Sequence, residues 1–168
     1  YLVRSRGYGH VYKRPDYWLA TNNGLLLFNP NTHTVKSYTA NGEKRTNLGE
    51  GAVWDIMKDS KGRRWFSSDK GGLSLYVPET DNFINYRHKK SQPRSLASNI
   101  VRTSFEDRSG DIWVGLYPEG IDFFDQSSTA ITGYESDASD SNSLANNSVL
   151  SISEDAEGNL WLGTDGGG

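Results

Sequence analysis

The stretch that decides the fold runs from residue 147 to residue 167 and reads NSVLSISEDAEGNLWLGTDGG. A related stretch, NIVRTSFEDRSGDIWVGLYPEG, occupies residues 99–120, and its Trp113 stands 48 residues before Trp161. Trp65 lies another 48 residues upstream. A fixed period of roughly 20–50 residues is typical of repeat architectures. The period therefore predicts an array of similar units, in which function belongs to a surface that several units build together.

Each full unit contains four short, β-prone segments separated by turn-forming residues. In the unit around Trp65 these segments are 52–57, 64–67, 73–77 and 82–86. The Asp, Asn, Gly and Pro residues between them favour tight turns. Four short strands in a unit of about 40–50 residues are typical of a β-propeller blade. We therefore predict an all-β fold built from blades of four antiparallel strands.

The period divides the chain into one partial β-propeller, residues 1–168, with about three and a half blades. We predict blade boundaries at approximately 1–46, 47–94, 95–142 and 143–168, the last blade being incomplete. Propellers close with about four to eight blades, so we expect the chain to be part of a larger ring, predicted to have seven blades, or to assemble with other chains. Upstream of Trp18 the pattern degrades, and residues 8–13 are predicted to form an irregular first strand.

Composition excludes several classes of function. The formal net charge is −3 and no long run of Lys or Arg occurs, so nucleic acid is not an expected partner. No apolar run is long enough to cross a membrane, and we expect no membrane contact by this segment. The chain has no cysteine, which excludes disulfides and thiolate metal sites. The three histidines have no spacing suited to metal binding or catalysis, and we expect no cofactor, no metal and no catalytic residue.

The repeated Asp-x-x-Gly-x-x-Trp spacing invites comparison with the Asp-box of sialidase-type propellers. In the Asp-box the acid lies two residues before the Gly, whereas Asp59, for example, lies three residues before Gly62. We interpret the motif as a turn in which Asp accepts backbone hydrogen bonds and Gly supplies a positive φ. The Trp of the motif recurs at one position of an apolar strand, which predicts packing in the core.

Binding residues concentrate in loops that a rigid scaffold positions. If the strands are antiparallel, the turns between second and third strands all lie at one end of the sheets. We predict a ligand-binding surface there, with the candidate residues Asn22, Asn23, Asp69, Lys70, Tyr117, Glu119 and Asp165. The segment 116–119 is the best single candidate because it breaks the repeat, and a plain solvated loop is the alternative.

Trp54 is a further candidate because its counterparts 48 and 96 residues later are Arg102 and Leu150. This break in the repeat indicates a side chain that faces a channel or a ligand. Buried packing is the alternative, and it is the favoured one.

The segment 147–167 closely resembles the two-component regulator propeller repeat, which reads loosely N-x-V-x-x-I-x-E-D-x-x-G-x-[IL]-W-[IVL]-G-T-x-x-G-G. The unit around Trp113 matches the same pattern and departs from it at 116–119. The pairs Ser95-Leu96 and Ser143-Leu144, shortly before a blade begins, are also similar to this family.

The resemblance implies the periplasmic, extracytoplasmic sensor region of a bacterial hybrid two-component system. Such a segment is not itself an enzyme, and its parent is a sensor histidine kinase, often with two propellers, a further β-sandwich domain and a homodimeric assembly. Many members respond to breakdown products of polysaccharides, so an oligosaccharide or another small ligand is the implied partner, beside the remaining blades and neighbouring sensor domains. A scaffold for dimerisation or domain packing with the ligand bound elsewhere is the alternative, and a propeller hydrolase or lyase is less favoured.

Overall fold

A computed structural model of the chain describes residues 16–40, 46–127 and 130–167, whose strands form four antiparallel sheets. The first sheet consists of β1 (Tyr17–Thr21), β2 (Gly24–Asn29) and β3 (Thr34–Tyr38). The second consists of β4 (Val53–Lys58), β5 (Arg64–Ser68), β6 (Gly72–Val77) and β7 (Asn82–Tyr86). The third consists of β8 (Val101–Glu106), β9 (Ile112–Leu116), β10 (Ile121–Phe124) and β11 (Ile131–Tyr134), and the fourth of β12 (Val149–Glu154) and β13 (Leu160–Thr164).

The second and third sheets confirm the predicted blade of four antiparallel strands. Strands that are consecutive in the chain are neighbours in each sheet, as in a meander. The 48-residue period extends to the strand register, because Trp65 pairs with Leu75 and Trp113 pairs with Phe123. The strand predicted at residues 8–13 lies outside the described residues.

Neighbouring sheets stack face to face, which explains why the second strands are apolar at consecutive positions. Trp65 and Phe66 are both fully buried although they lie on opposite faces of the second sheet. Trp65 packs with Ile112 and Val114 of the third sheet, whereas Phe66 packs with Leu25 of the first.

The first strands of successive sheets lie side by side, which places them at the inner edge of the stack. The carboxylate of Asp55 in β4 accepts hydrogen bonds from the backbone N–H of Ser104 (2.9 Å) and from the hydroxyl of Thr103 (3.3 Å) in β8. Each sheet therefore runs outward from its first strand. We name the end that carries the turns between first and second strands the Asp-turn end, and the opposite end, with the turns between second and third strands, the loop end.

The prediction that the repeated Trp packs in the core holds for Trp65, which has no exposed surface. It is wrong for Trp161, which is 65% exposed. The ring of Trp65 is covered by Phe124 from the third strand of the next sheet, with 6.3 Å between ring centroids. No sheet beyond the fourth is described, and Trp161 has no such neighbour among the described residues.

Candidate functional site

The Asp-turn end repeats one hydrogen-bond network in three sheets. The Asp carboxylate accepts a bond of 2.8–2.9 Å from the indole N–H of the Trp six residues later. The pairs are Asp59–Trp65, Asp107–Trp113 and Asp155–Trp161. The glycines of these turns have positive φ angles of 79° at Gly62, 86° at Gly110 and 91° at Gly158. The turn-forming role predicted for the motif is confirmed, and the indole–carboxylate bond explains why Trp follows Asp at this fixed distance.

Two of these turns, at Asp59 and Asp155, lower the pKa of the carboxylate and so favour its charged form. Burial acts to raise the pKa of Asp59, but hydrogen bonds from Trp65 and Arg63 outweigh it and leave the pKa below its usual value. Hydrogen bonds from Trp161 and Asn159 lower the pKa of Asp155 to about 2. An acid that is charged and fully bonded at neutral pH is poorly suited to proton transfer. The motif is therefore part of the scaffold.

The loop end places four predicted candidates at equivalent positions, one in each sheet, directly after β1, β5, β9 and β13, which are the second strands of the repeated unit. They are Asn22, Asp69, Tyr117 and Asp165. The backbone N–H groups of the last three donate the same hydrogen bond, of 2.9–3.0 Å, to the carbonyl of the residue directly before the first strand of their own sheet. The backbone is thus constant while the side chain changes from amide to carboxylate to phenol.

A β-bulge at the start of β4, β8 and β12 turns one extra side chain in each strand away from the ladder. Register shifts in the second, third and fourth sheets leave Trp54, Arg102 and Leu150 without a partner residue on the adjacent strand. Bulges commonly redirect a side chain in this way. Trp54 is 50% exposed, so the buried packing favoured for it is wrong. That the side chain faces a channel or a ligand remains a prediction.

Arg102 brings two of the predicted candidates together. Its Cζ atom lies 4.6 Å from the ring centroid of Trp54 on the second sheet and 5.3 Å from that of Tyr117 on the third. Tyr117 is 37% exposed and precedes a cis peptide bond to Pro118. We call the three residues Trp54, Arg102 and Tyr117 the aromatic–arginine cluster. Sequence reasoning named Arg102 only as the counterpart of Trp54, although it is the one cation among the three bulge positions.

The other candidates are not drawn into this cluster by any described contact. Lys70 is exposed, and its carbonyl accepts a bond of 3.1 Å from Arg87 Nη2. The backbone N–H of Asn23 donates to Thr21 Oγ1. Glu119 is half-buried in the turn after Tyr117. These residues lie along the loop end and remain predictions as ligand contacts.

Asp122 is a second break in the repeat, inside the third sheet. Its carboxylate accepts a bond of 2.9 Å from the backbone N–H of Ala97, where the hydroxyl of Ser74 accepts the equivalent bond from Gly49 in the second sheet. Burial, only partly offset by the bond from Ala97, raises the pKa of Asp122 to about 6. This acid was not singled out by the sequence, although its spacing from Ser74 makes the substitution visible.

The loop end presents aromatic and charged side chains. The aromatic–arginine cluster offers two exposed rings and a cation, and it contains no nucleophile with an adjacent base. In the described ranges, no group of three or more His, Asp or Glu side chains is placed to hold a metal ion. Clefts of about 720 Å³ and 620 Å³ open elsewhere, between the first and second sheets and between the third and fourth. Both aromatic side chains of the cluster, Trp54 and Tyr117, are exposed.

Comparison with known families supports the repeat. The family described as two component regulator propeller matches residues 95–117 and 143–166. Both matches run from the Ser-Leu pair through the first two strands of a sheet to the loop end. No protein of curated function matches the sequence. In the part of the chain that the structure describes, no helix is long and apolar enough to cross a membrane.

Two solved structures share the fold. The extracellular domain of BT3049 from B. thetaiotaomicron, described as a hybrid two component system, superposes with a TM-score of 0.56 at 22% identity and covers 91% of this chain and 24% of its own. The extracellular domain of BT4673 from the same organism, described as a one component system, gives 0.51 at 19% identity, over 92% of this chain and 25% of its own. At such identities the likeness establishes the propeller fold, and this chain spans about a quarter of either structure.

Proposed function

Because the chain carries two-component regulator propeller repeats, we propose that it is the ligand-sensing propeller segment of a two-component signalling protein. The proposed location is the periplasm, as part of the extracytoplasmic sensor region of a sensor histidine kinase. The proposed ligand is an oligosaccharide released from a polysaccharide. Two solved relatives in fold are extracellular domains of signalling proteins, which supports this location.

The observation that carries the proposal is the aromatic–arginine cluster at the loop end. Trp54 and Tyr117 break the repeat, and both expose ring surface on a regular backbone. Exposed aromatic rings on a rigid scaffold give contact area at low conformational entropy cost. A pyranose ring presents an apolar face of C–H groups that stacks on such rings, whereas its hydroxyls need polar partners. Asn22, Asp69, Lys70, Glu119 and Asp165 supply polar groups around the same end.

Signalling requires that the ligand bind one state of the protein better than another. The cluster joins two sheets, since Trp54 belongs to the second and Arg102 and Tyr117 to the third. A sugar held across both would favour one relative position of these sheets. The remaining blades, the neighbouring sensor domains and a second subunit of a homodimer are the proposed recipients of that bias.

Titration calorimetry of the full protein with a panel of defined oligosaccharides tests the proposal. We expect at least one to bind, and we expect Trp54→Ala and Tyr117→Ala each to weaken it by about tenfold, the effect of losing one stacking contact. Tyr17→Ala is the matched control, because Tyr17 is also exposed but lies at the Asp-turn end of the first sheet. Absence of heat from every oligosaccharide would count against a sugar ligand.

A scaffold function is the second candidate, and apolar side chains on both faces of the fourth sheet favour it. Trp161 is 65% exposed, and Leu160 and Leu162 line the cleft of about 620 Å³ beside the third sheet. Apolar surface of this kind marks an interface, here with further blades or a partner subunit. If the ligand bound with unchanged affinity after substitution of Trp54 and Tyr117, the scaffold role would be the better description of this segment.

A further inference from the structure

The guanidinium of Arg102 is an uncompensated charge. It makes no hydrogen bond or ion pair with any described residue, and its contacts are the faces of two aromatic rings. The arginines of the Asp-turn end differ in this respect. Arg63 donates to the carboxylate of Asp59, and Arg108 Nη1 donates to the carbonyl of Ala156 at 2.8 Å.

Comparison of the repeated units shows why Arg102 has no carboxylate beside it. At the loop end the second and fourth sheets carry the carboxylates Asp69 and Asp165 at the position where the third sheet carries Tyr117. The bulge residues beside those carboxylates, Trp54 and Leu150, are uncharged. In the third sheet both positions change together: the bulge residue becomes a cation, and the carboxylate that would neutralise it becomes a phenol ring.

The exposed edge of this guanidinium is suited to an anion. Among its nitrogens only Nε is shielded from solvent without a partner, so the two Nη nitrogens remain open to solvent. An arginine presents parallel N–H donors whose spacing matches the oxygens of a carboxylate or a sulfate. The flanking rings hold the guanidinium between two sheets, and this preorganisation reduces the entropy lost on binding.

We propose that the aromatic–arginine cluster binds an acidic oligosaccharide, with a carboxylate or sulfate group on the Nη edge of Arg102 and the sugar ring against Trp54 and Tyr117. The inference rests on the proposed function and specifies its ligand class. The anion replaces water at the two Nη nitrogens, and the carboxylates of Asp69 and Asp165 disfavour the same anion at the neighbouring sheets. The acidic group therefore fixes which sheet the sugar occupies.

The experiment is calorimetry of the full protein with four probes at low ionic strength. Short galacturonate oligomers are compared with their methyl esters, and sulfated galactose oligomers with the desulfated forms. We expect an acidic probe to bind at least about tenfold more tightly than its neutral form, since hydrogen bonds to charged groups have this magnitude. Preference for the carboxylate or for the sulfate identifies the source of the anion, and either one supports the proposal.

Arg102→Gln is expected to abolish the difference between the acidic and neutral probes, while Arg102→Lys retains part of it because a point charge replaces the fork. Lys58→Gln removes the same charge from an exposed position at the other end of β4 and is expected to change nothing. If a neutral oligosaccharide binds and the acidic form has no advantage, the anionic class is overturned while the sensing function stands. If no sugar of either kind binds, the proposed function fails as well. The comparison of acid with ester uses the unaltered protein, so it decides the matter even where the Arg102 variants do not fold.

Discussion

The two ends of the sheets differ in what the repeat keeps constant. At the Asp-turn end the side chains are alike from sheet to sheet and bond to one another, and Glu106 and Glu154 also accept bonds from the turn of the preceding sheet. At the loop end the backbone bonds are alike, but the side chains at the bulges differ in every sheet. Repetition therefore stabilises one end, and the constant backbone at the other end leaves its side chains free to be selected for binding.

The two ends also differ in how they hold buried acids. Hydrogen bonds leave the pKa of Asp59 below its usual value at the Asp-turn end, whereas burial raises that of Asp122 in the half of the third sheet nearer the loop end. The first acid adds stability when charged, and the second lowers stability when charged. The contrast between scaffold and variable surface can therefore be measured by unfolding experiments.

Trp65→Ala should break the scaffold most severely. We expect a loss of about 4 kcal/mol in the free energy of unfolding, because a fully buried indole is replaced by a cavity. Trp54→Ala, in the adjacent strand of the same sheet, should cost less than about 1 kcal/mol because half of its surface is already exposed. Urea unfolding of both variants in the full protein measures the difference. Equal losses would mean that the bulge at Trp54 is part of the core and not of a binding surface.

Asp59→Ala tests the repeated turn by removing one carboxylate. Loss of the bonds from Trp65 and Arg63 leaves a buried indole N–H unpaired, and we expect a destabilisation of about 3 kcal/mol. Asp69→Ala removes the same group from the loop end of the same sheet and should change stability by no more than about 0.5 kcal/mol. Thermal and urea unfolding at neutral pH compare the two. A large effect at Asp69 would contradict the division of roles between the ends.

Asp122→Asn should stabilise the protein. The pKa of Asp122 lies at about 6 in the folded state against 3.8 for the free side chain, so between these values the unfolded chain releases a proton that the folded chain keeps. Stability is thus lost as pH rises through this window, and the loss persists at pH 7. Asn keeps the acceptor for Ala97 and cannot ionise, and we expect a gain of about 2 kcal/mol at pH 7, below the full linkage value because its amide must also be desolvated.

Unfolding midpoints measured from pH 4 to pH 7 provide the test, and the profile of the variant should be flatter than that of the unaltered protein. Asp165→Asn is the control, since Asp165 is an exposed acid of the loop end, and its midpoint at pH 7 should not change. An unchanged or lower stability of Asp122→Asn would show that the charged form of Asp122 is held by partners as favourable as those of Asp59.

The sequence predicted most of the fold because strands, turns and their spacing are local properties. The segments 64–67 and 73–77 correspond to β5 and β6 within one residue at each end. The predicted burial of Trp161 is wrong because burial depends on the next sheet, as Phe124 covers Trp65. No sheet that could cover Trp161 is present among the described residues. The repeat period predicts where Trp161 lies within its unit, but it does not predict which residues pack against it.

The candidate site could be predicted in part for the same reason. Tyr117 and Trp54 were visible as breaks in the repeat, and the antiparallel order of strands placed Tyr117 at the correct end. Their contact through Arg102 was not visible, since it depends on the bulge that turns Arg102 out of the ladder toward the neighbouring sheet. The sequence does not reveal this one-residue shift in strand register, because the alternation of apolar and polar residues is already irregular at Val101 and Thr103.

Gly62→Ala gives the smallest effect and isolates the backbone of the Asp-turn end. The φ angle of Gly62 is 79°, and an added Cβ would meet no atom within 4 Å, so the substitution introduces backbone strain without a steric clash. We expect a loss of about 1 kcal/mol in unfolding free energy. Lys61→Ala, one residue earlier in the same turn, should have no measurable effect.

If Gly62→Ala were also neutral, the bonds of Asp59 would be sufficient to hold the turn in a strained conformation, and the three glycines of this end would not be needed for its repetition. A measured loss instead shows that the turn depends on two independent requirements, a carboxylate that accepts and a residue that adopts positive φ, which is why both recur together every 48 residues.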